Sequence, residues 1–531
     1  MVFELVFALA TALILFLYGI ENFSSEIQKV AGQRFREILS SLTQSPLKGS
    51  VLGALVTAMV QSSTATTIIA VGLVNAGTIS FAQSLGVIFG ANVGTTITAQ
   101  LVALKLTSFA PVFIILGFLT SIVGGRYKFL GKPLFYFGLV FFSLTLMSSA
   151  IEPFKTDPVV INYFSSLSNV FVAVLAGLVF TAIVQSSSVT TGVVVLLASG
   201  GLITLSQGIP LLLGTNIGTT ITSFFASSRM SLHAKRSAVA HLFFNLGGAL
   251  LFFPFIGPLA GLVESFGGSV AQQVANAHLV FNVLTLIVFL VFLNQFKKVI
   301  ERVVPGKEEE ILIKTKFLQE QLPEGNKHAF KIIEKELSYS LIVTRRLFEE
   351  ASTLLADFED KKLQRVVKLE ALNDFLDEKI EAAIVLLSKR KLDKNEAMKT
   401  ALLVRISNSI EQLADLGKVF AQDLRAALPD SPRFSEELKG ELKSVFDLLD
   451  VNLIHLSGVF PAFSAKEYEK MKRNDNKFRE ASTRYYSLHL ERMQSDKKYY
   501  ESHFVELLSV METANAKTRE ARKFSKKYAS L

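Results

Sequence analysis

The residues Gln61-Ser62-Ser63-Thr64-Ala65-Thr66-Thr67 interrupt an apolar stretch of the chain, and a near copy, Gln185-Ser186-Ser187-Ser188-Val189-Thr190-Thr191, interrupts a second apolar stretch. The similarity extends well beyond these motifs. Adding 124 to each residue number superposes residues 51–98 on residues 175–222 without a gap, and about 21 of the 48 pairs are identical. The first half of the chain is therefore predicted to contain two copies of one structural unit.

Charge divides the chain into two parts. Residues 1–296 contain 12 Lys or Arg and 7 Asp or Glu, whereas residues 297–531 contain 43 and 39. Ionised side chains are costly in hydrocarbon, so we expect a membrane domain at residues 1–300 and a water-soluble domain at residues 301–531. Neither part has the concentrated basic face of a nucleic-acid-binding protein, and the chain has no cysteine for disulfide or thiol chemistry.

The hydrophobic pattern predicts an all-α, polytopic membrane protein. Runs long enough to span a bilayer occur near residues 2–20, 81–104, 107–124, 133–153, 205–228, 237–257 and 277–296. The interrupted segments, 49–76 and 173–200, are expected to form re-entrant hairpins that enter and leave from the same face. All the basic loops except Lys105 then lie on one side, which the positive-inside rule assigns to the cytoplasm, together with the C-terminal domain.

This topology gives the two repeats opposite orientations in the membrane. Repeat 1 covers about residues 1–124 and repeat 2 about residues 133–257, followed by the last span at 277–296. Inverted repeats are a common architecture of transporters, in which the substrate binds between the two copies. The expected location is the plasma membrane.

A second polar cluster follows each motif. It runs from Gly90 to Thr98 in repeat 1 and from Gly214 to Thr222 in repeat 2. We expect the glycines at 90, 94, 214 and 218 to permit helix breaks that expose backbone groups. Residues 49–104 and 158–228 carry no charge, so an anion bound there would be held by hydroxyls, amides and helix N-termini. Binding a cation beside the anion would lower the cost of burying either charge.

A structural role for these polar residues is the alternative. Ser and Thr in membrane helices commonly bond to the backbone or to a neighbouring helix. Two copies of a long cluster at one offset favour a binding site instead. Four other polar residues of the apolar spans, His241, Asn245, His278 and Asn282, are interpreted as helix-packing contacts.

The paired Gln-Ser-Ser-Ser/Thr and Gly-X-Asn-X-Gly-Thr-Thr motifs resemble those of the type II sodium/phosphate cotransporters, over about residues 1–296. The resemblance implies a sodium-coupled importer of inorganic phosphate, with sodium as the coupling ion and the site between the repeats. The implied binding residues are Gln61, Ser62, Ser63, Thr64, Thr66, Asn92, Thr95 and Thr96 in repeat 1, and Gln185, Ser186, Ser187, Ser188, Thr190, Asn216, Thr219 and Thr220 in repeat 2.

The region after about residue 310 reads as long amphipathic helices, divided near residues 429–432 into two three-helix parts. It resembles the all-helical PhoU family, which carries Glu/Asp-X-X-X-Asp motifs. The first part has Glu370 with Asp374 and Glu411 with Asp415, for which the resemblance implies a metal, whereas a solvated acidic helix face is the alternative. The second part departs from the motif, because Met471 precedes Asp475 and Ala516 follows Glu512.

The predicted function is secondary transport of phosphate with sodium through a lipid bilayer. The alternative is a phosphate-responsive sensor that binds the anion without moving it. An enzyme is disfavoured, because the conspicuous motifs contain neither an acid–base pair nor a nucleophile arrangement. The sequence leaves open a homo-oligomer and a regulatory protein partner.

Overall fold

The computed structural model describes residues 2–104, 106–319, 321–430, 435–495 and 502–531. All regular secondary structure in these ranges is helical, as predicted. The chain divides into two compact units, Met1–Glu310 and Ile311–Leu531, which we call the first and second units.

The first unit contains fifteen α-helices among the described residues. They are α1 (Val2–Leu42), α2 (Pro46–Val60), α3 (Ser63–Asn75), α4 (Phe81–Ala103), α5 (Ala110–Val123), α6 (Lys128–Ile151), α7 (Pro158–Ser165), α8 (Val170–Val184), α9 (Ser187–Ser199), α10 (Leu205–Gly218), α11 (Thr220–Ala226), α12 (Leu232–Phe252), α13 (Ile256–Ser265), α14 (Val270–Val291) and α15 (Leu293–Val303).

Six helical segments of the described chain are long and apolar enough to cross a membrane. They contain α1, α4, α6, α10, α12 and α14. The remaining predicted span, 107–124, is different. It folds as a 3-10 turn at Leu106–Phe109 followed by α5, whose 14 residues are too few to cross a membrane. The first span was expected to end near residue 20, whereas α1 continues without interruption to Leu42.

The two interrupted segments form pairs of short helices with corresponding ends. Helices α2 and α3 have 15 and 13 residues, and α8 and α9 begin and end 124 positions later. At 1.5 Å per residue these helices are only about 20–22 Å long, whereas the hydrocarbon core of a bilayer is about 30 Å thick. Their lengths suit hairpins that turn back inside the membrane.

Glycines bring the backbones of α2 and α4 into direct contact. A Cβ atom added at Gly90 would lie 1.9 Å from the carbonyl oxygen of Ser50, and one added at Gly214 would lie 1.9 Å from that of Val174, the equivalent residue of α8. The expectation that these glycines break helices was wrong for Gly90, Gly94 and Gly214, which lie inside α4 and α10. Only Gly218 lies at a helix end, because α10 stops there. The glycines instead permit close helix packing.

The last residues of the first unit bind the N-termini of two helices. The Glu310 carboxylate accepts a hydrogen bond from the first amide of α4, at Phe81, over 2.5 Å, and that of Glu308 accepts one from the first amide of α12, at Leu232, over 2.9 Å. Carboxylates are favourable at these positions because the N-terminus of a helix carries partial positive charge. We call residues 304–310 the strap. Arg236 also holds it, by donating to the carbonyls of Val304 and Gly306.

The second unit contains six long helices, three on each side of residues 431–434. They are α16 (Asn326–Ala356), α17 (Asp360–Ser388), α18 (Lys394–Asp430), α19 (Glu436–Val459), α20 (Ala465–Ser495) and α21 (Ser502–Ala529). Both groups of helices share one hydrophobic core. In it, the ring of Phe446 on α19 packs against Phe348 of α16 and Phe420 of α18, with centroids 5.8 and 5.4 Å away.

The close contact of α2 with α4 predicts that Gly90→Ala destabilises the first unit. The new methyl group must displace backbone, and overpacking of this kind costs roughly 1–3 kcal/mol or more. We expect a lower melting temperature and a broader size-exclusion profile in detergent. Gly72→Ala is the matched control, because nothing lies within 4 Å of a Cβ atom at Gly72 of α3. Equal melting temperatures for the two variants would contradict this account of the packing.

Candidate functional site

Each interrupted segment turns at a glutamine in the left-handed conformation. Gln61 has φ 57° and ψ 28°, and Gln185 has φ 57° and ψ 22°; they are the only non-glycine residues with positive φ in the described chain. Such a conformation costs on the order of 1–3 kcal/mol and often occurs at functional sites. It ends α2 and α8, and it lets Ser62 and Ser186 cap α3 and α9 by accepting hydrogen bonds from Ala65 and Val189.

Threonines join the two helices of each hairpin. Thr57 of α2 donates to the hydroxyl of Thr66 on α3 over 2.9 Å, and Thr181 of α8 donates to Thr190 of α9 over the same distance. Thr66 and Thr190 in turn donate to the carbonyls of Ser62 and Ser186, each over 3.2 Å. The site residues predicted at 66 and 190 therefore hold the turns in shape. The sequence reading missed Thr57 and Thr181, although they are identical under the offset of 124.

The two motifs meet at the turn of the first hairpin. The Ser188 hydroxyl, from repeat 2, lies 3.2 Å from the carbonyl oxygen of Gln61 and donates to it. Thr98 of α4 donates to the side-chain oxygen of Gln61 over 2.5 Å, and its own hydroxyl lies 3.3 Å from that of Ser188. All three residues are buried. A cluster of polar groups from both repeats therefore converges away from the surface, and Thr98 is a member that the predicted set did not include.

The surroundings of the two motifs differ. Gln61 is buried and bonded, whereas its equivalent Gln185 is exposed. Thr64, the equivalent of Ser188, is half-buried and lines an open cavity of about 480 Å³ with Ser62 and with Arg36 of α1. Arg36 is one of the basic residues whose distribution predicts the topology. The long α1 helix places its positive charge at the mouth of a cavity that reaches the first motif.

Ser63 and Ser187 are the first residues of α3 and α9, and both are buried. A helix leaves the amides of its first turn without intrahelical partners, and each serine cap satisfies only one of them. Four residues further along each helix, the buried hydroxyls of Thr67 and Thr191 have no hydrogen-bond partner within the described residues. Each repeat therefore retains polar groups that a ligand could use.

The second polar clusters are buried but bond mainly to their own helices. Most of the predicted residues donate to a carbonyl three or four positions earlier: Asn92 to Ile88, Thr95 to Ala91, Thr96 to Val93, Thr219 to Thr215 and Thr220 to Ile217. This is the structural role weighed as the alternative, although the oxygen lone pairs stay available to a cation.

Asn216 differs from the other predicted residues of these clusters, because it bonds to another helix. Its side chain donates to Asn282 of α14 over 2.9 Å and lies 3.2 Å from Nε2 of His278 on the same helix. The packing role expected for His278 and Asn282 thus has a specific partner in the second polar cluster.

In the second unit, α17 and α18 bring acidic residues together. Carboxylate oxygens of Glu370, Asp374 and Asp415 all lie within 4.8 Å of one another. Burial and the charges of Glu370 and Asp415 raise the pKa of Asp374 to about 6. Burial and the charge of Asp415 likewise raise the pKa of Glu411 to about 7. Lys418 neutralises only part of this charge, by forming an ion pair with Glu370.

In the second group of three helices, the acidic residue between α20 and α21 is Asp475, and other side chains of the protein neutralise its charge. Asp475 is buried, accepts a hydrogen bond from Asn515 over 2.7 Å, and lies 3.7 Å from the guanidinium groups of both Arg519 and Arg522. Asp475 therefore already has positive partners. The first cluster has an excess of hard oxygen ligands that suits a divalent cation such as Mg²⁺ or Ca²⁺.

The sequence matches the Na+/Pi-cotransporter family over residues 15–149 and 160–286, which contain both hairpins and both polar clusters. The chain belongs to this family. Membership in a transporter family agrees with the expectation that the protein is not an enzyme. Together with the six long apolar helices, it makes the chain a multi-pass membrane protein.

Several relatives are similar to this chain. The "Uncharacterized protein YqeW" of Bacillus subtilis (strain 168) is 36% identical over 303 residues, which are 56% of this chain and 98% of that protein. The "Putative inorganic phosphate export protein YjbB" of Escherichia coli (strain K12) is 24% identical over 490 residues, 91% of this chain and 90% of the relative.

A shorter match is to the human "Sodium-dependent phosphate transport protein 2C", 42% identical over 125 residues, 22% of this chain and 21% of that protein. No solved structure matches the chain.

The acidic cluster predicts that the α17–α18 pair of this cotransporter-family chain becomes less stable as the pH rises from about 5 to 8. The pKa values of Asp374 and Glu411 are higher in the folded chain than their ordinary values of 3.8 and 4.5. The folded state therefore binds more protons than the unfolded state in this pH range. Its free energy of unfolding therefore falls as these protons are lost. Hydrogen exchange of α17 and α18, corrected for intrinsic pH dependence, measures this change.

Glu411→Gln should reduce the pH dependence of this stability, because it removes one of the two carboxyl groups whose pKa is raised. Glu378→Gln is the matched control, since Glu378 is exposed on α17 beside Lys379. A pH dependence that is unchanged in Glu411→Gln would show that the cluster does not control this stability.

Proposed function

We propose that this protein is a sodium-coupled secondary transporter of inorganic phosphate, with both ions bound between the two repeats. The observation that carries the proposal is the contact of the Ser188 hydroxyl with the Gln61 carbonyl, since it joins the two motifs in one buried cluster. The human relative that matches 125 residues is named as a sodium-dependent phosphate transport protein, which supports both the anion and the coupling ion.

The composition of the cluster supports coupling between the two ions. The hairpins offer hydroxyls, amides and the N-termini of α3 and α9, which suit an anion, but their residues 49–75 and 170–199 contain no charged residue. The same hydroxyl and carbonyl oxygens suit sodium. Since an isolated charge is costly to bury, each ion lowers the cost of binding the other. Tight binding of phosphate should therefore require sodium.

The different surroundings of the two motifs support alternating access. The turn at Gln61 is buried against Thr98 and Ser188, whereas the turn at Gln185 is exposed. In a transporter built from equivalent repeats, exchanging the roles of the two hairpins would expose Gln61 and bury Gln185. The alternative function, a sensor that binds without transport, would have no use for this pair of equivalent hairpins.

We propose import as the physiological direction, because an inward sodium gradient drives a symporter inward. Export is a second candidate, since YjbB is named as a phosphate export protein. It matches 91% of the chain, so the match extends over both units.

The relative YqeW is matched over 98% of its length by 303 residues, so it is too short to contain both a unit like the first and a unit as large as the second. We therefore propose that the second unit regulates transport and that the first unit carries it out, at the plasma membrane with the second unit in the cytoplasm.

For the second unit we propose that Glu370, Asp374, Glu411 and Asp415 bind a divalent cation. The raised pKa values of Asp374 and Glu411 support this, because burial and the neighbouring carboxylates outweigh the positive charge of Lys418. A bound cation would replace the protons and remove the repulsion between the carboxylates. Asp374 is exposed, but the burial of Glu370 and the half-burial of Glu411 argue against a fully solvated acidic face.

The proposed function is tested by phosphate flux in proteoliposomes that contain the purified full-length chain. An inward sodium gradient should drive accumulation of labelled phosphate, an inward potassium gradient should not, and an outward sodium gradient should empty preloaded vesicles. Flux independent of sodium would contradict the coupling. Phosphate binding without flux under any gradient would establish the sensor instead.

Ser63→Ala and Ser187→Ala should each strongly reduce sodium-driven uptake. Losing one buried hydrogen-bond partner costs about 1–3 kcal/mol, or roughly tenfold to a hundredfold in affinity. Ser265→Ala is the matched control, because Ser265 is exposed on α13 and bonds only to the carbonyl of Leu262 in its own helix. Uptake near that of the control in both variants would refute the site.

Arg36→Gln should weaken phosphate uptake mainly by raising the apparent KM. Arg36 lines the cavity beside Ser62 and Thr64, so its charge should raise the local concentration of phosphate without forming part of the buried cluster. The loss should shrink at high ionic strength, which screens exposed charges. Arg229→Gln, which removes an exposed charge from the turn before α12, is the control. A KM unaffected by Arg36→Gln at low salt would exclude this role.

A further inference from the structure

A second cavity of the first unit, distinct from the one beside the first motif, is strongly basic. It has a volume of about 580 Å³ and lies between α1, the end of α5 and the start of α6. Four basic side chains line it: Lys29, Arg34, Lys128 and Lys132. We call it the basic cavity.

The charge of the basic cavity is only partly balanced. Glu26 also lines it and forms an ion pair with Lys29, with 2.7 Å between nitrogen and oxygen. No ion pair within the described chain joins Arg34, Lys128 or Lys132 to a carboxylate at 4 Å or less. Three positive side chains from two helices therefore face one space without a negative partner, which makes the cavity suited to an anion.

The apolar surroundings of the basic cavity indicate what carries that anion. Val30 and Phe129 line the cavity beside the basic groups and are 41% and 51% exposed. Tyr127, in the turn between α5 and α6, is 51% exposed and adjoins Arg126, an arrangement typical of the membrane–water interface. The helix that supplies Ser121 to the cavity, α5, also has exposed apolar side chains: Val112, Leu116, Leu119 and Val123.

A free phosphate ion would use only the basic groups, whereas a phospholipid would also use the apolar ones. The headgroup phosphate would lie among the lysines and Arg34, and the acyl chains would lie along α5. We propose that the basic cavity binds the headgroup of an anionic phospholipid. This site is separate from the transport cluster, because it shares none of the residues assigned to phosphate and sodium.

The test is native mass spectrometry of the purified full-length protein in mixed micelles containing equal amounts of phosphatidylglycerol and phosphatidylcholine. The wild-type protein should retain phosphatidylglycerol in preference. Lys128→Gln combined with Lys132→Gln should reduce its retention roughly thirtyfold, since each basic residue near an anionic lipid surface contributes about a factor of five. Lys128→Arg combined with Lys132→Arg keeps the charge and should retain the lipid.

Lys297→Gln combined with Lys298→Gln is the matched control, because it removes two basic groups of α15 that lie outside the cavity. An equal loss of lipid in this control, or equal retention of the two lipids by the wild-type protein, would overturn the proposal. Binding of labelled inorganic phosphate is measured in parallel. If the Lys128/Lys132 glutamine variant loses phosphate binding but keeps the lipid, the occupant is free phosphate and the proposal is wrong.

Discussion

A helix that breaks inside a membrane leaves amide and carbonyl groups that must find partners within the protein. The first unit contains two helix breaks within apolar segments, at Gln61 and Gln185. At each break a serine cap and a pair of threonines satisfy groups that lipid could not. Close backbone contact with the following helix, through Gly90 and Gly214, packs the first helix of each hairpin against protein. The same requirement explains why these segments combine small residues with hydroxyl groups instead of large apolar ones.

The hydrogen bonds that maintain the breaks also leave some polar groups unused. The caps consume one amide of each first turn, and the threonine pairs consume hydroxyls that were predicted to bind ligand. The hydroxyls of Thr67 and Thr191 remain without partners among the described residues. At Gln61, Thr98 of α4 and Ser188 of the other repeat form a separate polar cluster. Ligand binding and the stability of the turns therefore depend on the same group of side chains. The effect of a substitution on either one depends on which hydrogen bond the substitution removes. Residues that hold the turn should affect folding first, and residues at the start of α3 and α9 should affect binding first.

Much of this architecture could be predicted from the pattern of the sequence. The offset of 124 identified both hairpins, because identical residues at equal spacing fold alike. The role of Gly90 was predicted wrongly, since a glycine is compatible both with a break and with close packing, and only the position of Ser50 decides between them. The contact between Gln61 and Ser188 joins residues 127 positions apart, and local pattern carries no information at that distance. The position of Arg36 beside the first motif was not predicted, because the first span was expected to end near residue 20.

The strap at the end of the first unit has a mechanical consequence. Glu310 caps α4, the helix that carries Thr98, and the second unit begins at the next residue, Ile311. A pull on this connection acts directly on the cap, whose charge–dipole interaction is worth about 0.3–1 kcal/mol. Energies of that size change the ratio of two conformations by up to about fivefold. A covalent tether anchored on α4 can therefore transmit the state of one unit to the other even without a shared interface.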